Sequence, residues 1–179
     1  LDPRALLTQA KGGGQDLYFR RDSHWNDYAG RLVADAILAR LRDTWPALPP
    51  VDAARLTPSV RSMQGDLMRQ LREGPIEEPF LAYDNGCEVT WVEQGAFVPQ
   101  GVRLLRGGVA EGPRVMLVGD SFTFTLLPFL CASLPALYSV YPVTYADLPG
   151  LLDRYPVDVV IVLSAEVYLF RAQVFGPLE

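Results

Sequence analysis

The last third of the chain alternates short apolar runs with helical stretches, and this alternation constrains the fold more than any other feature. Three runs rich in β-branched residues, Arg114–Val118, Leu137–Tyr141 and Val157–Leu163, are separated by two helical stretches, Ser121–Ala132 and Tyr145–Arg154. Strands connected through helices run parallel, and continuously apolar strands are buried on both faces. The pattern therefore predicts an α/β fold, with a parallel sheet flanked by helices on both faces.

The first 50 residues predict one strand and one long helix. A short strand is expected over Gln15–Arg20, and a helix from about Asn26 to Arg42. The helix ends before Trp45-Pro46, because proline disfavours its continuation. Its apolar residues recur at the three- and four-residue spacing of one helical face: Ala29, Leu32, Val33, Ala36, Ile37 and Leu41.

Residues 51–112 break this regularity with proline and glycine, and we predict a small antiparallel β insertion there. One short amphipathic stretch, Asp66–Leu71, lies within it. The turn sequence Asp84-Asn85-Gly86 predicts a hairpin between the strands on either side, because Asn-Gly tolerates positive φ. The strand-like segments are Pro79–Tyr83, Glu88–Glu93 and Val102–Leu105.

Composition favours one folded domain spanning residues 1–179. Hydrophobic residues make up 49% of the chain and charged residues 21%, so enough apolar surface is available for a core. No run of 18 apolar residues is present. Because the chain begins at Leu1 instead of methionine, we expect part of the natural protein to precede it.

Charge and ligand counts exclude several classes of partner. A net charge of −5 argues against binding to nucleic acid or to an anionic membrane. The chain has one histidine, His24, and two cysteines, Cys87 and Cys131, without the paired spacings of zinc sites. We therefore expect no metal and no cofactor. The two cysteines can form a disulfide, although Cys131 on its apolar helix is expected to be a core residue.

A serine follows the first strand of the alternating region, in Gly119-Asp120-Ser121. Ligands of parallel sheets bind beyond the carboxyl ends of the strands. Gly119 permits a tight turn, and Ser121 begins a helix whose free N–H groups stabilise developing negative charge. These features suit a nucleophile. A plain capping role for Ser121 is the alternative.

A second strand-to-helix junction carries the only histidine, in Asp22-Ser23-His24-Trp25. At a spacing of two residues, the Asp22 carboxylate can reach one ring nitrogen of His24 and fix its tautomer. The other nitrogen is then available as a base. The alternative is that Asp22 caps the helix and His24 is an ordinary structural histidine.

These two motifs resemble the SGNH hydrolase-like acetyltransferase domains of the alginate O-acetylation (AlgX/AlgJ) group. As in that group, Asp-x-His comes first and Gly-Asp-Ser later, whereas ordinary SGNH hydrolases have the reverse order and an Asp-x-x-His. The Gly-x-Asn-Asp block of ordinary members is absent. Four further segments share the resemblance: Leu17–Arg20, Asn26–Gly30, Gly65–Leu67 and Ser164–Glu166.

The resemblance implies a role for each matching residue. Ser121 is expected as the nucleophile, His24 as the general base and acid, and Asp22 as the residue that orients His24. The Ser121 backbone N–H is expected as one oxyanion donor, and Ser164 as a substitute for the missing side-chain donor. Glu166 is expected as a structural or substrate-binding carboxylate. Trp25 either stacks on a sugar ring or packs against the helix that follows it.

The implied function is serine-dependent acyl transfer on carbohydrate, most specifically O-acetylation of an exopolysaccharide through an acetyl-serine intermediate. Two alternatives are a carbohydrate acetyl esterase of the SGNH type and a non-catalytic polysaccharide-binding or scaffold protein. The implied partners are an acetylated or acetylatable polysaccharide and exopolysaccharide-biosynthesis proteins. The implied location is periplasmic or otherwise extracytoplasmic in a bacterium.

Overall fold

The structure, a computed structural model, describes residues 1–94, 101–141 and 148–165. Five α-helices and seven strands follow one another in these residues, with 3₁₀ turns at Ala53–Arg55 and Ser121–Thr125. None of the described helices combines the length and apolarity needed to cross a membrane. The elements are α1 Pro3–Lys11, α2 Asp27–Leu41, β1 Leu56–Met63, α3 Asp66–Leu71, β2 Ile76–Tyr83, β3 Glu88–Gln94, β4 Gly101–Arg106, β5 Arg114–Gly119, α4 Leu127–Ser133, β6 Ala136–Tyr141, α5 Leu148–Arg154 and β7 Val159–Leu163.

The main sheet has five strands in the order β3-β4-β6-β5-β7. Strand β5 is parallel to both β6 and β7, which confirms the alternating pattern of the last third. Strands β3 and β4 add to the sheet in antiparallel fashion, so the sheet is mixed and the predicted parallel sheet is confirmed only in part. The six residues between β3 and β4 are too few for a crossover, which needs a dozen or more.

Helices cover both faces of this sheet, as the apolar strands predict. Along β5, Val115 and Leu117 pack with α2 and α4, whereas Met116 and Val118 pack on the other face with Leu151 of α5. These four residues of β5 are all fully buried. Alternate side chains of a strand point to opposite faces, so continuous apolarity is the expected signature of such a covered strand.

The predicted middle insertion is antiparallel, but its pairing differs from the expectation. Strands β1 and β2 form a separate two-stranded sheet, in which Leu56 pairs with Tyr83 and Met63 with Ile76. The predicted hairpin across Asp84–Gly86 is therefore wrong, because the strands before and after it belong to different sheets. Gly86 does adopt the positive φ of 60° that the turn sequence indicates.

The segment Gln15–Arg20 is not a strand, and this prediction is also wrong. It forms one isolated antiparallel bridge, between Tyr18 and Trp25, as the chain folds back on itself. The Phe19 N–H donates to the His24 carbonyl at 3.2 Å, and the Asn26 N–H donates to the Leu17 carbonyl at 2.9 Å. Leu17 and Phe19 of this segment are buried, and these side chains anchor the loop that carries His24.

Cys87 and Cys131 form a disulfide that joins the start of β3 to α4. Cys131 is also fully buried in the core, as its apolar helix predicts. The two cysteines are 44 residues apart in sequence. A bridge that closes a loop of this length restricts the unfolded chain strongly.

We expect the double substitution Cys87→Ala, Cys131→Ala to lower the free energy of unfolding by about 4 kcal/mol, the chain-entropy contribution for a loop of this size. Urea unfolding followed by circular dichroism measures the change. A reducing agent should lower the melting temperature of the wild type but leave the variant unaffected. Equal melting of the oxidised and reduced wild type contradicts the bridge.

Candidate active site

Ser121 lies where β5 ends and the chain turns sharply into a helical segment. The Asp120 carboxylate caps this turn, since its Oδ1 accepts the Phe122 N–H at 3.0 Å. A β-carbon on Gly119 would collide with the Leu163 carbonyl of β7, so only glycine fits there. The predicted helix from Ser121 divides into the 3₁₀ turn Ser121–Thr125 and α4. Ser121 is thus held at the carboxyl edge of the sheet, as predicted.

His24 reaches Ser121 across 97 residues of sequence. Its Nε2 lies 2.6 Å from the Ser121 Oγ, and its Nδ1 lies 2.5 Å from the Asp22 Oδ1. A tilted aromatic contact with Phe122, at 4.7 Å between ring centroids, supports one side of the imidazole. Asp22, His24 and Ser121 therefore form one continuous hydrogen-bonded chain.

Asp22 accepts hydrogen bonds on both of its carboxylate oxygens. Oδ1 accepts the His24 backbone N–H at 2.8 Å, and Oδ2 accepts the Asp66 N–H at 2.8 Å. The residue is only 9% exposed, so these donors replace most of its contact with water. The carboxylate is thereby fixed in the orientation that meets the imidazole.

Trp25 packs in the core beneath the site and is 5% exposed. Its indole N–H donates to the Phe122 carbonyl at 3.0 Å and to the Thr125 hydroxyl at 2.6 Å. This burial favours the packing role over stacking on a sugar, because the ring offers little open surface. The indole instead ties the histidine loop to the serine turn.

An arginine that the sequence does not single out lies beneath the histidine loop. Arg61 of β1 stacks on Phe19 at 4.7 Å and on Phe80 at 5.0 Å, and pairs with Asp27 at 3.1 Å. Burial raises the pKa of Asp27, although the nearby Arg61 opposes this effect. Glu78 of β2 accepts the Arg20 N–H at 3.1 Å. The β1–β2 sheet thus supports the loop, a role without a local signal in the sequence.

Ser164 and Glu166 are the two remaining residues for which the sequence predicts a role, and the structure describes only Ser164. The Ser164 hydroxyl donates to the Ala165 carbonyl at 3.4 Å, and the Ala165 N–H donates to the Asp120 Oδ2 at 2.6 Å. Ser164 therefore follows β7 beside the serine turn. Glu166 lies outside the described residues.

Within the described residues, one group of side chains offers several potential metal-ligand atoms close together. Atoms of Asp22, His24 and Asp66 lie within 4.8 Å of one another. Backbone N–H donors point at oxygens of both carboxylates, from His24 and Asp66 to Asp22 and from Ser23 to Asp66. The group is thus organised as a hydrogen-bond network that supports the histidine.

Comparisons with known proteins identify a matching family and a related protein. The family described as "SGNH hydrolase-like domain, acetyltransferase AlgX" matches residues 1–136, which include Asp22, His24 and Ser121. The probable alginate O-acetylase AlgJ of Pseudomonas aeruginosa is 29% identical over 124 residues, covering 65% of this chain. This chain spans only 31% of AlgJ.

Two solved structures share the fold at low sequence identity. A DHHW family protein from Eubacterium siraeum has a TM-score of 0.66 and 14% identity, over 93% of this chain and 63% of that one. Bacillus cereus PatB1, solved with a sulfonyl adduct, has a TM-score of 0.65 and 15% identity, over 92% and 67%. Since the family match covers well over half of the chain, this protein belongs to the SGNH hydrolase-like domains of the AlgX acetyltransferase family.

Proposed function

We propose that this chain catalyses serine-dependent acyl transfer on carbohydrate, with O-acetylation of an exopolysaccharide as its activity. The observation that carries the proposal is the chain of hydrogen bonds from Asp22 through His24 to Ser121, with distances of 2.5 and 2.6 Å. Such a chain activates a serine hydroxyl as a nucleophile. The name of the related alginate O-acetylase supports a polysaccharide as the acceptor.

In the first half-reaction, the Ser121 Oγ attacks the carbonyl carbon of an acetyl donor. His24 Nε2 takes the hydroxyl proton, while Asp22 accepts the Nδ1–H and stabilises the imidazolium. The carbonyl oxygen becomes an oxyanion, for which the Ser121 backbone N–H is one donor. His24 then protonates the leaving group as the bond between the acetyl carbon and the rest of the donor breaks, leaving an acetyl ester on Ser121.

In the second half-reaction, a sugar hydroxyl attacks the acetyl-serine ester. His24 Nε2 removes the hydroxyl proton and returns it to the Ser121 Oγ as the ester bond breaks. The acetyl group leaves on the sugar and the serine is regenerated. The same residues thus serve both steps with their acid and base roles reversed.

Two alternatives to this function remain: one has a different acetyl acceptor, and the other involves no catalysis. If water takes the place of the sugar hydroxyl, the protein is a carbohydrate acetyl esterase. If Ser121 never acylates, the protein is a polysaccharide-binding scaffold. Incubation with a chromogenic acetyl ester and a deacetylated alginate oligosaccharide separates the three: acetylated oligosaccharide indicates transfer, free acetate alone indicates hydrolysis, and neither product indicates a scaffold.

Family membership and the residues near the site support further proposals about location, partners and substrate binding. We propose an extracytoplasmic bacterial location, with exopolysaccharide-biosynthesis proteins as partners. Ser164, next to the serine turn through the Ala165–Asp120 hydrogen bond, is the proposed second oxyanion donor. Glu166 is proposed as a substrate-binding or structural carboxylate, and residues 1–179 as one domain.

A sulfonyl fluoride should label this protein at one residue, Ser121. The hydroxyl is 2.6 Å from a ring nitrogen of His24, which can remove its proton during attack on sulfur. Support comes from PatB1, which was solved as a sulfonyl adduct. Intact-mass analysis and peptide mapping measure the adduct.

The matched control for this experiment is Ser62→Ala, at an exposed serine of β1. That variant should label like the wild type, and Ser121→Ala should not label. A folded wild type that shows no adduct contradicts a nucleophilic serine.

A further inference from the structure

Asp66, the first residue of α3, contacts the histidine loop through both its backbone and its side chain. Its N–H donates to the Asp22 Oδ2 at 2.8 Å. Its carboxylate accepts the Ser23 N–H at 2.9 Å on Oδ1 and the Ser23 hydroxyl on Oδ2. Asp66 therefore holds two consecutive residues of the loop that presents His24.

The two contacts restrain different motions of the catalytic loop. The Asp66 N–H occupies the Asp22 oxygen that lies away from the imidazole Nδ1, which opposes rotation of the carboxylate. The Asp66 side chain accepts a hydrogen bond from the Ser23 N–H and so restrains the backbone between Asp22 and His24. Burial alone would raise the pKa of Asp66, but the hydrogen bonds from Ser23 and Leu67 and the nearby His24 together lower the pKa. The Asp66 side chain is consequently an ionised carboxylate at neutral pH.

The residues on either side of Asp66 are fitted to this approach. A β-carbon on Gly65 would collide with the Arg21 carbonyl and the Asp22 β-carbon, so Gly65 is required for the close contact. Beyond α3, Glu73 pairs with Arg21 at 2.6 Å. The α3 segment is therefore tied to the histidine loop at both of its ends.

We propose that Asp66 is a positioning residue that holds the Asp22–His24 pair in hydrogen-bonding register with Ser121. The inference rests on the proposed function, because register matters only if the serine is activated. The structural alternative is that Asp66 merely stabilises the first turn of α3, where an acidic side chain is favourable. The two roles predict different results for kinetics and for the imidazole itself.

Asp66→Ala should lower kcat by about 10–100-fold, the loss expected when reacting groups are misplaced by about 1 Å. KM should stay within about twofold, since Asp66 is not proposed to bind substrate. Asp66→Asn should lose less, because its amide oxygen still accepts the Ser23 N–H. The control is Asp84→Ala, at an aspartate whose side chain is 89% exposed.

The imidazole gives a readout that requires no turnover. His24 is the only histidine in the chain, so its ring nitrogens and N–H proton are assigned without ambiguity after ¹⁵N-histidine labelling. In Asp66→Ala, the Nδ1–H signal should shift or broaden while the fold is retained. If these signals and kcat are unchanged and only thermal stability falls, Asp66 has the structural role alone and the proposal is wrong.

A double-mutant cycle adds an independent criterion. Ser23→Ala and Asp66→Ala both remove the hydrogen bond from the Ser23 hydroxyl to the Asp66 carboxylate. Their combined effect on kcat should therefore be smaller than the product of the single effects. Full additivity would count against a shared positioning role. If the wild type is neither labelled by a sulfonyl fluoride nor active, the proposed function fails, whereas the Asp66-dependent imidazole signals still test the positioning contact.

Discussion

We expect Ser121→Ala and His24→Ala each to lower acyl transfer by about 10⁴-fold or more, with the double variant no worse than either single one. The Ser121 Oγ and the His24 Nε2 are 2.6 Å apart and act in the same proton transfer, so removing either abolishes the unit. Initial rates with a chromogenic acetyl ester measure the loss. Retained folding is checked by melting.

The outcome of this cycle separates a shared mechanism from two unrelated sites. Losses that multiply in the double variant would mean that His24 and Ser121 act independently and that the proposed chain is misassigned. Ser62→Ala, on the exposed side of β1, provides the matched control and should retain full activity.

Asp22→Asn should leave the fold intact but lower turnover by up to ~10⁴-fold, because the amide favours the wrong imidazole tautomer. The Asp22 Oδ1 lies 2.5 Å from the His24 Nδ1, on the side of the ring away from Ser121. An amide nitrogen there would turn an accepting contact into a competing donor. The reaction rate at a fixed substrate concentration measures the loss of turnover, and the melting temperature measures any loss of stability.

Asp120, the other aspartate near Ser121, should affect the stability of the fold when it is substituted. Asp120 uses its two oxygens to accept the N–H groups of Phe122 at 3.0 Å and Ala165 at 2.6 Å. Asp120→Asn should therefore lower the free energy of unfolding by about 1 kcal/mol, as expected when a capping hydrogen bond is lost. A nearly active Asp22→Asn variant would remove Asp22 from the mechanism.

Local patterns were sufficient for the elements whose signals lie within one stretch of chain. The sequence predicts the long helix from about Asn26 to Arg42, and the helix extends over Asp27–Leu41, with Asn26 as its N-cap. Strand β5 is predicted to be buried because both of its faces are apolar, and Val115–Val118 are fully buried. Strand β7 has the same apolar pattern but is only partly buried, with Val162 45% exposed. The turn that presents Ser121 is predicted from Gly119, because glycine permits a tight turn.

Pairing between distant strands could not be derived in the same way. Strand β1 contains Pro58 and alternates polar residues, so nothing local marks it as the partner of β2. The sequence predicts the turn at Gly86, but turn geometry alone does not decide which strands pair on either side. Which strands pair depends on all the strand edges that the folding chain makes available.

The sequence by itself determined the two motifs, the tight turn at Gly119 and the expectation that Asp22, His24 and Ser121 work together. Only the tertiary structure decided that His24 meets Ser121 at hydrogen-bond distance, that Asp66 and Arg61 hold the loop, and that Cys87 bonds Cys131. These contacts join residues from 34 to 97 positions apart. Helical spacing and turn chemistry act over a few residues, whereas distances between such positions depend on how whole elements pack.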